Sequence, residues 1–142
     1  MVITQATECA IRAILYIAGF QENAVIRKRD ICNTQGITPA FLIKIMQPLR
    51  DAGLIKSSRG VAGGFTLAKP RDDISLWDII CAIEGPVHLN KCVIHDGHCS
   101  QNSTCKVHQV WHKASEELEH TLRKASLAAL ARDPGLNQCR SD

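Results

Sequence analysis

Leu54-Ile55-Lys56-Ser57-Ser58-Arg59-Gly60-Val61-Ala62-Gly63-Gly64-Phe65-Thr66-Leu67 is the stretch whose reading decides the fold. Leu54 to Ser57 and Phe65 to Leu67 are short runs of strand character around a turn-forming centre. Gly60, Gly63 and Gly64 supply the backbone freedom, including positive φ, that a tight hairpin uses. Arg59 sits at the base of the turn. A glycine-rich loop can also cradle a nucleotide, but there is no GxGxxG or Walker pattern and no long helix follows the glycines.

The residues before the hairpin give it a context. Thr38-Pro39 is a helix start, with Thr38 as N-cap and Pro39 at the first helical position. Phe41, Leu42, Ile45, Met46 and Leu49 form an apolar stripe at helical spacing, and Gly53 stops the helix. Ala40, Lys44, Gln47 and Arg50 fall toward the other side. A shorter helix over 27–35, with Ile26 and Ile31 as its buried positions, ends at Gly36. Two short helices around a glycine turn, then a two-stranded hairpin, make a winged helix-turn-helix. Upstream, residues 4–20 read as a helix with Ala6, Ala10, Ala13, Ile14, Ile17 and Ala18 at helical spacing, and with Glu8 and Arg12 as an ion pair one turn apart on another face.

Charge supports the same reading. The chain has 142 residues, a net charge of +3 and 45% apolar residues. That is enough for one domain with a helical arm, and an aromatic fraction of 4% makes the core aliphatic. Arg27, Lys28, Arg29, Lys44, Arg50, Lys56, Arg59, Lys69 and Arg71 all precede residue 72, against the acids Glu8, Glu22, Asp30 and Asp51. Such asymmetry suits nucleic acid, although a solvated basic surface looks alike. The candidate DNA contacts are Arg27, Lys28, Thr38, Ala40, Lys44, Gln47, Arg50, Ser58, Arg59, Gly60 and Gly63. No apolar run is long enough to span a membrane. Residues 1–7 lack a basic leader region, so a cytoplasmic location is expected.

Beyond a turn at 69–73, Ser75 caps a helix to about Glu84, with Leu76, Ile79, Ile80 and Ile83 buried, Trp77 partly so and Cys81 as a core thiol. Gly85-Pro86 ends it. Cys92, Cys99 and Cys105 then fall in one polar segment with His95, His98 and His108. Thiolates and imidazoles are the ligands of zinc and of iron–sulfur clusters, and the spacing is not that of a zinc finger. Seven cysteines are an odd number for disulfides. From Cys105 to about Lys124 a long helix carries a seam of Val107, Val110, Trp111, Ala114, Leu118, Thr121 and Leu122, suited to a two-helix dimer contact or to its own domain. Ser126 caps a last short helix, Leu127 to Ala131.

Together, Arg59-Gly60-x-x-Gly63-Gly64, Ile74-Ser75-Leu76-Trp77-Asp78, three cysteines and a long helix resemble the bacterial iron–sulfur winged-helix transcription regulators, the IscR/NsrR-like family. The resemblance covers residues 1 to about 131. It implies a mostly α fold with a small β-wing and a long C-terminal dimerisation helix. It implies a homodimer on palindromic double-stranded promoter DNA, the helix over 38–50 in the major groove and the wing at the minor groove. The two recognition helices would lie about 34 Å apart. Residues 1–84 would be the DNA-binding domain, 85–106 a cluster-binding loop, 104–132 the dimerisation region and 133–142 a flexible tail.

By the same resemblance, Cys92, Cys99 and Cys105 are cluster ligands, and the fourth is His108 or Glu8. Cys105-x-x-His108 matches the pattern that completes a 2Fe–2S site, while Glu8 stands where some members give a carboxylate from the partner subunit to a 4Fe–4S cluster. We favour His108, and with it 2Fe–2S, because imidazole is the commoner non-cysteine ligand. The signal would be iron status, redox state or nitric oxide. A cluster-free thiol-switch or partner-controlled repressor is the alternative. An enzyme is not expected, since no motif supplies a base and an oxyanion site for a nucleophilic cysteine.

Overall fold

A computed structural model of the chain describes residues 3–90 and 104–132. Six helices and one two-stranded antiparallel sheet are found among them. α1 spans Gln5–Ala18, α2 Lys28–Gln35 and α3 Pro39–Asp51; β1 spans Ile55–Ser58 and β2 Gly64–Leu67. A short 3-10 turn at Arg71–Asp73 leads to α4, Leu76–Glu84; α5 spans Lys106–Lys124 and α6 Leu127–Ala131. Cys92, His95, His98 and Cys99, and the tail over 133–142 with Cys139, lie outside the described residues.

The local signals fold as the chemistry dictates. The Thr4 side chain caps α1 by accepting from Thr7 N. Gly36, at φ 64°, closes α2 in the left-handed conformation that glycine adopts without strain. Thr38 accepts from Phe41 N, and Pro39 opens α3. Ser75 and Asp78 form a reciprocal capping box on α4, the Ser75 hydroxyl donating to Asp78 Oδ2 at 2.6 Å. Arg12 does not pair with Glu8 as its spacing suggested: its guanidinium donates to the Gln35 carbonyl at the end of α2. A cation serves that end well, because the last carbonyls of a helix lack partners.

The core is aliphatic. Ile14, Ile31, Leu42, Ile45, Met46, Leu49, Ile55, Ile74, Ile79 and Leu127 are almost wholly buried in one cluster. Each such side chain contributes about 1.5–3 kcal/mol of burial. α1 packs against α2, α3, α4 and α6, so it is the central spoke of the winged head formed by α1 to α4 and the hairpin. Leu127 of α6 returns to the head core, held by Leu127 N donating to Ile74 O at 2.8 Å. A second, smaller cluster joins Trp77, Ile80 and Val87 with Ile3, Ile11 and Leu122.

Three burial expectations shift. Trp77 is buried, while Leu76 and Ile83 are only partly so. α5 accounts for Trp77: Arg123 lies over its ring, 5.5 Å from the centroid, and bridges to Asp78 at 3.6 Å. Cys81 is half-buried beside the second cluster, and loss of water pushes its thiol pKa up.

Candidate nucleic-acid interface

The wing is built on backbone pairing. Ile55 faces Leu67, Lys56 faces Thr66, Ser57 faces Phe65 and Ser58 faces Gly64. At the tip Gly60 takes φ 99°, a value hostile to side chains, and Gly63 N donates to Gly60 O at 3.0 Å. Gly64 is required for another reason. A Cβ there would sit 2.1 Å from the Ile26 carbonyl oxygen. That approach exists because Ile26 bridges Phe65, with N···O distances of 2.8 and 2.9 Å. The bridge ties the start of α2 to the hairpin, and so fixes Arg27, Lys28 and Arg29 beside the wing. Lys28 Nζ stands 5.8 Å from the Phe65 ring centroid.

The result is one groove between α3 and the wing. Arg27, Lys28, Gln47, Arg50, Ser58, Arg59, Gly60 and Gly63, all expected from sequence, line it together with Arg29, Ile43, Met46, Ser57, Val61 and Phe65. Five of these side chains are cations and none is a carboxylate. Thr38, Ala40 and Lys44 are exposed on α3 outside the groove lining. Thr38 spends its hydroxyl on the cap of α3.

Arg29, Ile43, Ser57 and Val61 were missed by sequence reasoning. Arg29 carried a signal, adjacent as it is to Arg27 and Lys28. Ile43 carried one too, an aliphatic residue off the buried stripe, exposed at 53%.

Hydrogen bonds order part of this face. Gln47 Nε2 donates to the two Asp51 carboxylate oxygens at 2.8 and 3.0 Å, and Gln47 Oε1 accepts from Arg50 at 2.7 Å. Arg50 donates also to Ser57 Oγ at 3.3 Å, linking α3 to β1. The side chains of Arg59 and Lys44 make no hydrogen bond or ion pair among the described residues.

Of the expected cluster ligands, three are described. Cys105 is half-buried at the N-cap of α5, and His108 N donates to its carbonyl at 3.2 Å. His108 Nδ1 is buried with no hydrogen-bond partner. Glu8 is exposed on the first turn of α1. No group of three or more metal-ligating side chains is gathered among the described residues, and Cys92 and Cys99 fall outside them. No described helix is long and apolar enough to cross a membrane.

Comparison with known proteins agrees with this architecture. The model of the Rrf2 family, described as iron-dependent transcriptional regulators, matches residues 3–133. IscR of Photobacterium profundum, an HTH-type transcriptional regulator, is 30% identical over 139 residues, covering 97% of this chain and 80% of that protein. The fold is that of CymR, the global cysteine regulator of B. subtilis, with a TM-score of 0.76 at 24% identity, covering 92% of this chain and 96% of that one. IscR of T. potens superposes with a TM-score of 0.70 at 25% identity, covering 100% and 94%. Winged head, cationic groove and a match along nearly the whole chain place it: the chain belongs to the Rrf2 family of transcriptional regulators, DNA-binding proteins and not enzymes.

Proposed function

We propose that the chain works as a homodimer on promoter DNA, with an iron–sulfur cluster setting its affinity. The observation that carries the DNA contact is the groove between α3 and the wing, with five cations and no carboxylate. A duplex is a closely spaced row of phosphates, and most protein–DNA contacts go to it. Under this reading α3 enters the major groove. Arg59 reaches phosphates or the adjacent minor groove, where negative potential favours arginine.

The second copy is argued from α5. Its 19 residues include none that is buried. Val107 is exposed at 52%, Val110 at 63% and Trp111 at 38%, all on one side of the helix. A surface seam of this kind is stabilised by an equivalent seam from another copy.

Cluster binding rests on the resemblance and on chemical fit. Cys92, Cys99 and Cys105 would supply thiolates and His108 the fourth position, with Glu8 of a second copy as the competing ligand. The residues present fit: His108 carries a buried nitrogen without a partner, one turn from the Cys105 thiol, at the amino end of a helix. Unpaired amide N–H groups at that end favour an anionic group. Such a cluster would supply redox chemistry and a site open to iron loss. Imidazole is neutral and donates less charge to iron than thiolate does, so it would hold its position less firmly than a fourth cysteine.

Anaerobic purification, visible absorbance and native mass spectrometry test the reading. A mass increment for two irons and two sulfides per subunit, lost in His108→Ala, supports His108. Four irons and four sulfides, lost in Glu8→Ala, move the ligand to Glu8. Colourless protein with full operator affinity would replace the cluster with a thiol-switched or partner-controlled repressor.

A further inference from the structure

Resting on that reading of the groove, we infer that Ile43 reads the C5-methyl group of a thymine in each half-site, and that contact with it is a principal source of sequence preference. The outward face of α3 has few groups free to read bases. Ala40, Ile43, Lys44 and Gln47 recur on it at helical spacing, and all are exposed. Gln47 is the obvious adenine reader by residue type. Both ends of its amide are engaged, however, by Asp51 and Arg50. Arg50 in turn holds Ser57. Reading a base with Gln47 would first break these bonds.

The amino-terminal half of a recognition helix is the part that meets base edges. There the chain offers a methyl at Ala40, a branched aliphatic side chain at Ile43 and a single point charge at Lys44. The buried stripe of α3 is Leu42, Ile45, Met46 and Leu49, so Ile43 is not spent on the core. A lone exposed aliphatic residue on an ordinary surface says little. This one borders five cations, in the groove proposed to hold a polyanion. The thymine methyl is the one apolar group that a base pair presents in the major groove. Burying it against Ile43 gives discrimination without a hydrogen bond, and it acts on A·T pairs of one orientation.

Replacing thymine by deoxyuridine removes that methyl and leaves the base pair otherwise intact. The experiment recovers duplexes from a random pool with the full-length protein, then replaces thymines one symmetric pair at a time. Competition at fixed salt is measured for the wild type, Ile43→Ala and Ile43→Val. At one thymine per half-site, wild type should lose about fourfold for one replacement and about fifteenfold for the symmetric pair. Ile43→Ala should bind the thymine duplex correspondingly less well and no longer distinguish uracil. Ile43→Val should keep most of the discrimination.

Equal wild-type affinity for thymine and uracil duplexes at every position would overturn the inference while leaving the groove reading in place. So would undiminished discrimination by Ile43→Ala. Recovery of no duplex above salt-sensitive background would remove the groove reading and this inference together.

Discussion

The Thr4 hydroxyl donates to Glu84 Oε1 at 2.6 Å, tying the N-cap of α1 to the last residue of α4. Thr4 N donates to the same oxygen at 3.2 Å, and the buried Thr7 hydroxyl donates to it as well. These bonds, Thr4's first, hold the Glu84 carboxyl below its ordinary pKa of 4.5. A depressed carboxylate contributes stability above its unfolded pKa and loses it as pH falls through the folded value. Glu84→Gln should therefore lower Tm at pH 7 by about 1–3 °C. The gap between the two proteins should shrink below pH 4 in thermal unfolding followed by circular dichroism. A gap unchanged with pH would mean that the loss does not come from ionisation of Glu84, and no gap at pH 7 would mean that the amide oxygen keeps the contacts the carboxylate makes.

Arg59 and Lys44 should separate by salt. Removing one phosphate-binding cation reduces the slope of log K against log salt by about 0.9. Arg59→Ala is expected to weaken binding across sequences and to lower that slope, as read by fluorescence anisotropy at four salt concentrations. Lys44→Ala should do the same if it meets phosphate. If it meets guanine, it should relax base preference and alter the slope less.

Gly64→Ala tests the seam between α2 and the wing. Its Cβ would stand 2.1 Å from Ile26 O and 2.6 Å from Ile26 C, both backbone atoms that cannot swing aside. Overpacking of this sort costs about 1–3 kcal/mol. Chemical denaturation should show that loss. DNA affinity should fall further than stability alone explains, because the displaced segment carries Arg27 and Lys28.

Val110→Glu tests α5. The position is exposed within one chain, so the folded head should survive, with its circular dichroism intact. Sedimentation should show a shift from dimer to monomer at micromolar concentration, and affinity for a two-half-site duplex should drop with it. A dimer that persists in Val110→Glu and also in Trp111→Glu would place the contact elsewhere.

Much of the head was legible in the sequence because its signals are local. Thr38-Pro39, Gly36, the Ser75 cap and the glycines of the wing each act within a few residues, and the elements form where those residues put them. What local patterns did not reveal shares a different cause. Arg12 chose the Gln35 carbonyl over Glu8, Arg123 covered Trp77, and Ile26 joined Phe65. Each is a meeting of residues far apart in the chain, which no local pattern encodes. The candidate groove was legible in its charges. The occupied state of Gln47 was not, since it depends on the rotamers of Asp51 and Arg50. Cys92 and Cys99 remain expectations of the sequence.

Among the described residues, α5 is fastened at its carboxyl end. Arg123 grips Asp78 and Trp77, Leu76 N donates to Ala125 O at 2.9 Å, and α6 closes into the head core with Leu127. Its other end begins at Cys105, and 19 residues of helix put that end about 28 Å away. The helix is thus a pointer with its pivot in the winged head. A tilt of about 3° at the pivot carries Cys105 through about 1.5 Å, given helical rise alone. In the reverse direction, a displacement the size of a bond length at Cys105 reaches the head as only a small rotation, and it enters next to α1, the helix on which the head is assembled.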